Sequence, residues 1–270
     1  MTSLTKEIYA NFKSWKEFYP NDQVDITKIN YGQSWKPLFD ELFKNEQINN
    51  INEKLSNELK QTNGNAFIHP APELLFNAFL LTSFDNLKVV FIGQDPYFDY
   101  EKHNGKKIHQ AMGLSFSVPF GIKTPSSLLN IYSNMVKNNH MTEVPSHGNL
   151  ECWAHQGCLM LNSALTVLDG TKNRNCHQQT WSWFTNEIIK YISDNKDHVV
   201  FVLWGANALD KKKLIDLNKH DVVISSHPSG QSCYNTLREH PAFCNVDHFG
   251  KINEYLKKKK QSQIVWNNAS

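Results

Sequence analysis

The chain has 270 residues, 40% of them hydrophobic, with 28 basic and 26 acidic side chains and a formal charge of +2. That length can bury a substantial core in one large domain, and so weak a charge makes no case for nucleic acid by itself. No apolar run reaches the roughly 18 residues of a membrane span, and the first residues, MTSLTKEIYANFKSWKEF, hold neither an apolar h-region nor an arginine, so no membrane segment, secretory signal or transit peptide is expected.

Residues 1–33 are polar and lack a clear hydrophobic period, so they read as an extension ahead of the folded domain. LKVVFI, at 87–92, is the first of four apolar runs of strand length; CLMLN (158–162), HVVFVLW (198–204) and DVVIS (221–225) follow. Each shows little alternation, the pattern of strands covered on both faces. Helical spacing fills the intervals. SSLLNIYSNMVKNN follows Pro125, TWSWFTNEIIKYISDN puts Trp183, Phe184, Ile188 and Tyr191 near one face, and GANALDKKKLID follows the third run. Alternating strands and helices predict an α/β fold: a three-layer sandwich with a central four-stranded, mainly parallel sheet flanked by helices. The end, KKKKQSQIVWNNAS, reads as a solvated lysine-rich tail (257–270), with a weak DNA tether as the minority reading.

Ligands of open α/β sheets sit beyond the carboxyl ends of the strands. The first run here ends in Gly93-Gln94-Asp95-Pro96-Tyr97 and the second in Asn162-Ser163. The third ends in Trp204-Gly205, and the fourth runs into Ser225-Ser226-His227-Pro228-Ser229. A carboxylate, an amide, an imidazole and hydroxyls on one edge suit a polar planar ligand and a developing charge. Singly, each has a structural explanation: Asp-Pro is turn chemistry, a strand-end Asn forms turns, and a lone His is more often structural. Other chemistries lack their signatures. There is no G-x-S-x-G elbow, no P-loop and no zinc-deaminase motif. Five cysteines without a C-x-x-C pair argue against a disulfide framework, a zinc ribbon and an iron–sulfur cluster. Neither metal nor cofactor is expected.

KVVFIGQDPYF, GLSFSV, PSSLLNIY, LMLNSALTV, VLWGANA and HPSGQS occur in that order. Together they resemble the motifs of family 1 uracil-DNA glycosylases, and the similarity runs from about residue 35 to 256. G-Q-D-P-Y and H-P-S are highly specific when an Asn strand lies between them. The resemblance implies a catalytic domain at 34–256 that excises uracil from single- and double-stranded DNA by hydrolysing the N-glycosidic bond. It implies that Asp95 stabilises the sugar cation and orients water, and that His227 donates to uracil O2 as a neutral ring. Asn162 would read uracil, Phe116 stack on it, Tyr97 exclude thymine and Gln94 line the pocket. Ser127, Ser229 and Ser232 would grip phosphates. Uracil-containing DNA is the implied partner of a monomer that is intracellular and not secreted, with replication or repair proteins as further candidate partners.

The chain departs from the family pattern in several places. Phe98 stands where the family usually has His, and Met112 where many members have another. Phe cannot hydrogen-bond water or phosphate, which predicts a slower enzyme. Gly230 and Gln231 replace the Pro-Leu of the loop that wedges into DNA, and Gln has poorer apolar surface for a wedge. Tyr234 could fill the gap by stacking. The segment DYEKHNGKKIH is longer than usual and basic, so Lys102, Lys106 and Lys107 are DNA-contact candidates or part of a solvated insertion; 235–247 is also longer. Two readings compete: a non-catalytic DNA-binding or replication-partner protein on the same fold, and a mispair glycosylase with relaxed base choice.

Overall fold

In the computed structural model, described for residues 2–61, 67–170, 172 and 175–267 and without the side chains of 2–5, the four apolar runs pair side by side. The strands are β1 (Ile68–His69), β2 (Val89–Gly93), β3 (Tyr100–His103), β4 (Lys106–His109), β5 (Cys158–Asn162), β6 (Val167–Leu168), β7 (Val200–Trp204) and β8 (Asp221–Ser225). The helices are α1 (Thr2–Ala10), α2 (Trp15–Phe18), α3 (Lys36–Lys44), α4 (Gln47–Gln61), α5 (Asn77–Leu81), α6 (Ser126–Lys137), α7 (Glu151–His155), α8 (Gln178–Asn195), α9 (Ala206–Leu209) and α10 (His248–Lys258). The main sheet has the order β5-β2-β7-β8, and every pairing in it is parallel. Helices flank it, as the alternating pattern predicts.

β2, β5 and β7 are built mostly from Val, Leu, Ile, Phe and other apolar residues, with Asn162 ending β5, and every residue of these three strands is buried. Edge strand β8 alternates partly exposed with buried positions, although its run reads as covered on both faces. The chain leaves β2 for β5 on one side and then crosses to β7 on the other. That reversal makes the carboxyl end of β2 a topological switch point, where such sheets open a crevice.

Several segments depart from the sequence expectation. GANALDKKKLID is a short α9 continued by a 3₁₀ turn, Asp210–Leu214, that buries no residue; without an apolar stripe, tertiary packing does not extend the helix. The polar start is also structured. Ser14 and Glu17 form a reciprocal capping box that opens α2, and Trp15, Tyr19, Val24, Ile26 and Ile29 join the same core as the sheet. The core thus has no break at the boundary expected at residue 33. The basic insertion is a hairpin: Asn104 and Gly105, at φ 49° and 77°, form its two-residue turn, the conformation Asn-Gly favours. It is anchored by fully buried Ile108, which packs with Ala10, Val118 and Ile122.

Within the expected solvated tail the lysine run is exposed, but residues 264–266 are docked; 268–270 lie outside the described residues. Ile264 and Trp266 are buried. The Asn253 side chain exchanges two hydrogen bonds with the backbone of Ile264, at 2.8 and 2.9 Å, and Gln156 does the same for Val265, at 2.8 and 2.9 Å. The Trp266 ring meets Trp153, Phe249 and Phe91 at 5.3, 4.9 and 6.2 Å between centroids. Three apolar residues after a lysine run are too few to show a period, which is why the segment reads as solvated. Trp266→Ala is expected to cost about 3–5 kcal/mol of stability, measured as a lowered denaturant midpoint.

Candidate active site

The carboxyl ends of β2 and β5 are joined first by their register, in which Gly93 pairs with Asn162. The next residues are clasped as well: Ser163 N–H donates to Gly93 O at 2.9 Å and Ala164 N–H to Gln94 O at 3.0 Å. A Cβ on residue 93 would lie 2.2 Å from Asn162 Oδ1 and 2.8 Å from Ser115 Cβ. Gly93 is therefore a space requirement: it lets the buried Asn162 amide lie across the strand end. Gly93→Ala is expected to displace that amide and lower the catalytic rate of the site about 10²-fold with the fold retained, the scale of a misplacement near 1 Å. Single-turnover kinetics with circular dichroism as the folding control checks it.

Phe116 reaches the same edge from the loop before α6. Ser115 N–H donates to Met160 O of β5 at 2.9 Å, which holds that loop against the sheet. Phe116 has φ 63°, a region bulky residues rarely adopt and one that stores strain of order 1–3 kcal/mol. Its ring centroid lies 5.5 Å from Trp204 and 6.0 Å from His227. Tyr97 Oη donates to Phe116 O at 3.3 Å, which ties the loop after β2 to the same cluster. Met112 is fully buried in the core; its sulfur accepts from Ser117 Oγ at 3.1 Å and its carbonyl from Asn77 Nδ2 at 2.8 Å.

His227 follows β8. A Cβ on Gly205, at φ 91°, would stand 3.0 Å from His227 Cβ, so the turn after β7 has to be open for the ring. His227 Nδ1 accepts from the Ser229 backbone N–H at 3.0 Å. Burial alone draws the ring down to about 4, so at neutral pH it is uncharged. With Nδ1 occupied as an acceptor, its single proton sits on Nε2 and makes that atom a donor.

The His227 loop is braced on two sides. Asn130 of α6 donates to Pro228 O at 2.8 Å, so the first turn of α6, which carries half-buried Ser127, lies one turn from the loop. Ser232 and Cys233 N–H both donate to Ser229 O at 2.9 Å, and Ser226 Oγ donates to Ser232 O at 2.9 Å. Ser229 and Ser232 are half-buried, Gly230 and Gln231 exposed, and Tyr234 projects with 73% of its surface exposed.

Asp95 is held from across the site. Asn175 N–H donates to its Oδ2 at 3.0 Å, and Gln178 Nε2 donates to its Oδ1. The same Gln178 amide also donates to Gln94 O at 2.8 Å, and Gln94 Nε2 donates to Asn175 Oδ1. Neither Asn175 nor Gln178 shows in the motif pattern, because they precede or begin α8, far along the chain. Phe98, next to Tyr97, is half-buried, and its carbonyl accepts from Gly170 N–H at 3.3 Å.

An amide (Asn162), an uncharged imidazole (His227) and a carboxylate (Asp95) at the carboxyl ends of parallel strands, beside the Phe116 ring, suit a flat polar ring next to a developing positive charge. The family model described as "Uracil DNA glycosylase superfamily" matches residues 81–257, and the chain belongs to that superfamily. It is 38% identical to the probable uracil-DNA glycosylase of Acanthamoeba polyphaga mimivirus over 95% of this chain and 70% of that protein. It is 41% identical to the uracil-DNA glycosylase of Aliarcobacter butzleri (strain RM4018) over 86% of this chain and 100% of the relative. The crystal structure of mimivirus uracil-DNA glycosylase superposes with a TM-score of 0.88 at 38% identity, covering 95% of this chain and 94% of the other. Among the described residues no helix is long and apolar enough to cross a membrane.

Proposed function

We propose that this edge excises uracil from single- and double-stranded DNA in the manner of the family 1 branch, leaving an abasic site for base excision repair. One observation carries the reading: Asp95, Asn162 and His227 leave the ends of β2, β5 and β8 on one edge, with Gly93 clearing the space that Asn162 occupies. The extruded base stacks on Phe116. The bond between uracil N1 and sugar C1′ breaks, and its electron pair leaves with the base. His227 Nε2–H supports the negative charge gathering on O2. The Asp95 carboxylate faces the sugar cation and orients the water whose oxygen adds to C1′; a proton from that water ends on the departed base. The Asn162 amide donates to O4 and accepts from N3–H. Cytosine reverses the first of these groups and leaves buried partners mismatched, which discriminates by ~10⁴ or more. Tyr97 closes the pocket against the thymine methyl, and Gln94 lines its floor.

The catalytic residues fall within 34–256, the segments around Trp15 and Trp266 fold onto the same core, and the unit acts as a monomer inside the cell, on DNA. Ser127, Ser229 and Ser232 contact phosphates flanking the extruded nucleotide. The test is release of uracil from a single-stranded oligonucleotide, read as strand scission at the abasic site. No release above an Asp95→Asn control overturns the reading in favour of a non-catalytic DNA-binding protein, and release of thymine from G·T duplexes favours a mispair enzyme.

Gln231 occupies the family's wedge position, but Tyr234 presents the larger exposed apolar surface on the same loop. Tyr234→Ala is expected to slow excision from duplex DNA about tenfold, the lower end of what one base–aromatic stack contributes, and to leave single-stranded substrate within twofold. Equal effects on both substrates would remove Tyr234 from the wedge role and leave it to Gln231.

A further inference from the structure

We propose that Gln178 is a positioning residue for Asp95: its side-chain amide fixes the carboxylate in the rotamer that faces the sugar. The inference rests on the glycosylase reading above. Asp95 sits just past the end of β2, at the carboxyl edge of the sheet. Gln178 Nε2 bridges Asp95 Oδ1 and Gln94 O, the latter at 2.8 Å, and Asn175 N–H takes Oδ2 at 3.0 Å. One short stretch of chain thus holds both oxygens from the same side.

That stretch is itself held rigidly. Gln178 is the first residue of α8, directly after His177, which is fully buried. His177 Nδ1 lies 2.8 Å from Thr166 Oγ1 and Nε2 lies 2.8 Å from Glu58 Oε1. Trp181 Nε1 donates to the same Thr166 hydroxyl at 2.7 Å, pinning the next turn. The amide is therefore preorganised by buried partners before DNA arrives. The residue type also fits. A neutral donor orients the carboxylate and leaves its full charge for the sugar cation, whereas a lysine or arginine would compete with that cation.

The test compares the parent with Gln178→Ala, Gln178→Glu and Asp95→Asn on a single-stranded uracil oligonucleotide. Gln178→Ala is expected to lower kcat roughly 10- to 100-fold, the scale of a misplaced catalytic group, with KM within about twofold. Gln178→Glu keeps the shape. Its introduced carboxyl, while protonated, donates to Asp95 as the amide does; once ionised it repels Asp95, and the two carboxyls share one proton over an intermediate range. Its kcat is expected to match the parent's at low pH and fall at higher pH, where the parent's does not. A purely structural role would lower stability without that pH signature. A Gln178→Ala kcat within twofold of the parent overturns the assignment, and so does a Gln178→Glu profile that superimposes on the parent's. If Gln178→Ala does not fold, judged by thermal melting, the Gln178→Glu profile decides alone. Where Asp95→Asn is inactive and Gln178→Ala behaves as the parent, only this assignment falls. Where the parent releases no more uracil than Asp95→Asn, the glycosylase reading falls and takes this one with it.

Discussion

Asp95→Asn is expected to slow uracil release from single-stranded DNA about a thousandfold at pH 7 while leaving DNA binding within a few-fold of the parent. The substitution keeps the shape and removes the charge. A unit charge about 4 Å from a cation, at an effective dielectric near 20, is worth about 4 kcal/mol, and each ~1.4 kcal/mol of barrier is a factor of ten. The ground state carries no cation, so the lost interaction belongs to the transition state and appears in kcat rather than KM. There is a second consequence. Gln178 and Asn175 both present N–H donors to the Asp95 oxygens, and the Asn side chain can place its own NH₂ against one of them. The variant then carries two donors facing each other, and the loop is expected to shift there. Equal single-turnover rates for variant and parent would remove Asp95 from the chemistry.

His227→Ala is expected to cost about 10²–10³ in kcat, the usual cost of removing one preorganised donor to a developing anion. The pH dependence is the sharper check. Burial draws His227 down to about 4, so kcat is expected to show no His227 step between pH 6 and 7, where an exposed imidazole titrates. A step near 6.5 that vanishes in His227→Ala would contradict the neutral-donor role. The same burial affects folding. Below about 6.5 an unfolded chain takes up a proton that the folded ring refuses, so this contribution to stability is present above about 6.5 and is lost as pH falls towards about 4. His177 behaves oppositely. Burial draws it down, but hydrogen bonds with Cys176 and Glu58 and the Glu58 charge outweigh that and leave it raised to about 9. Its contribution is present below about 6.5 and lost as pH rises through about 9.

Fold and chemistry differed in how legible they were. β2, β5 and β7 are sandwiched between layers, and burial on both faces selects unbroken apolar runs that stand out in the sequence. Strand-end polar residues are also visible, because a parallel sheet sends them all to one edge. Sheet order is not legible in the runs themselves. Without it, Gly93 is a strand terminator; with Asn162 beside it in register, it is the gap the amide needs. The support of Asp95 was hidden for a similar reason: Gln178 lies more than eighty residues along the chain, and only folding brings it there. Other features are written in the local sequence. Ser-Trp-Lys-Glu at 14–17 spells a capping box and Asn104-Gly105 a hairpin turn, both local chemistry inside segments that look polar and featureless.

The docked end of the chain bears on how the protein is made. Trp266 closes a ring cluster whose other members, Phe91, Trp153 and Phe249, are spread over more than 150 residues of sequence. During synthesis Phe91 and Trp153 precede the residue that covers them by more than 100 residues. The nascent sheet therefore carries an open aromatic face until residue 266 is free. A truncation that removes Trp266 and spares every catalytic residue would therefore still leave that aromatic face uncovered.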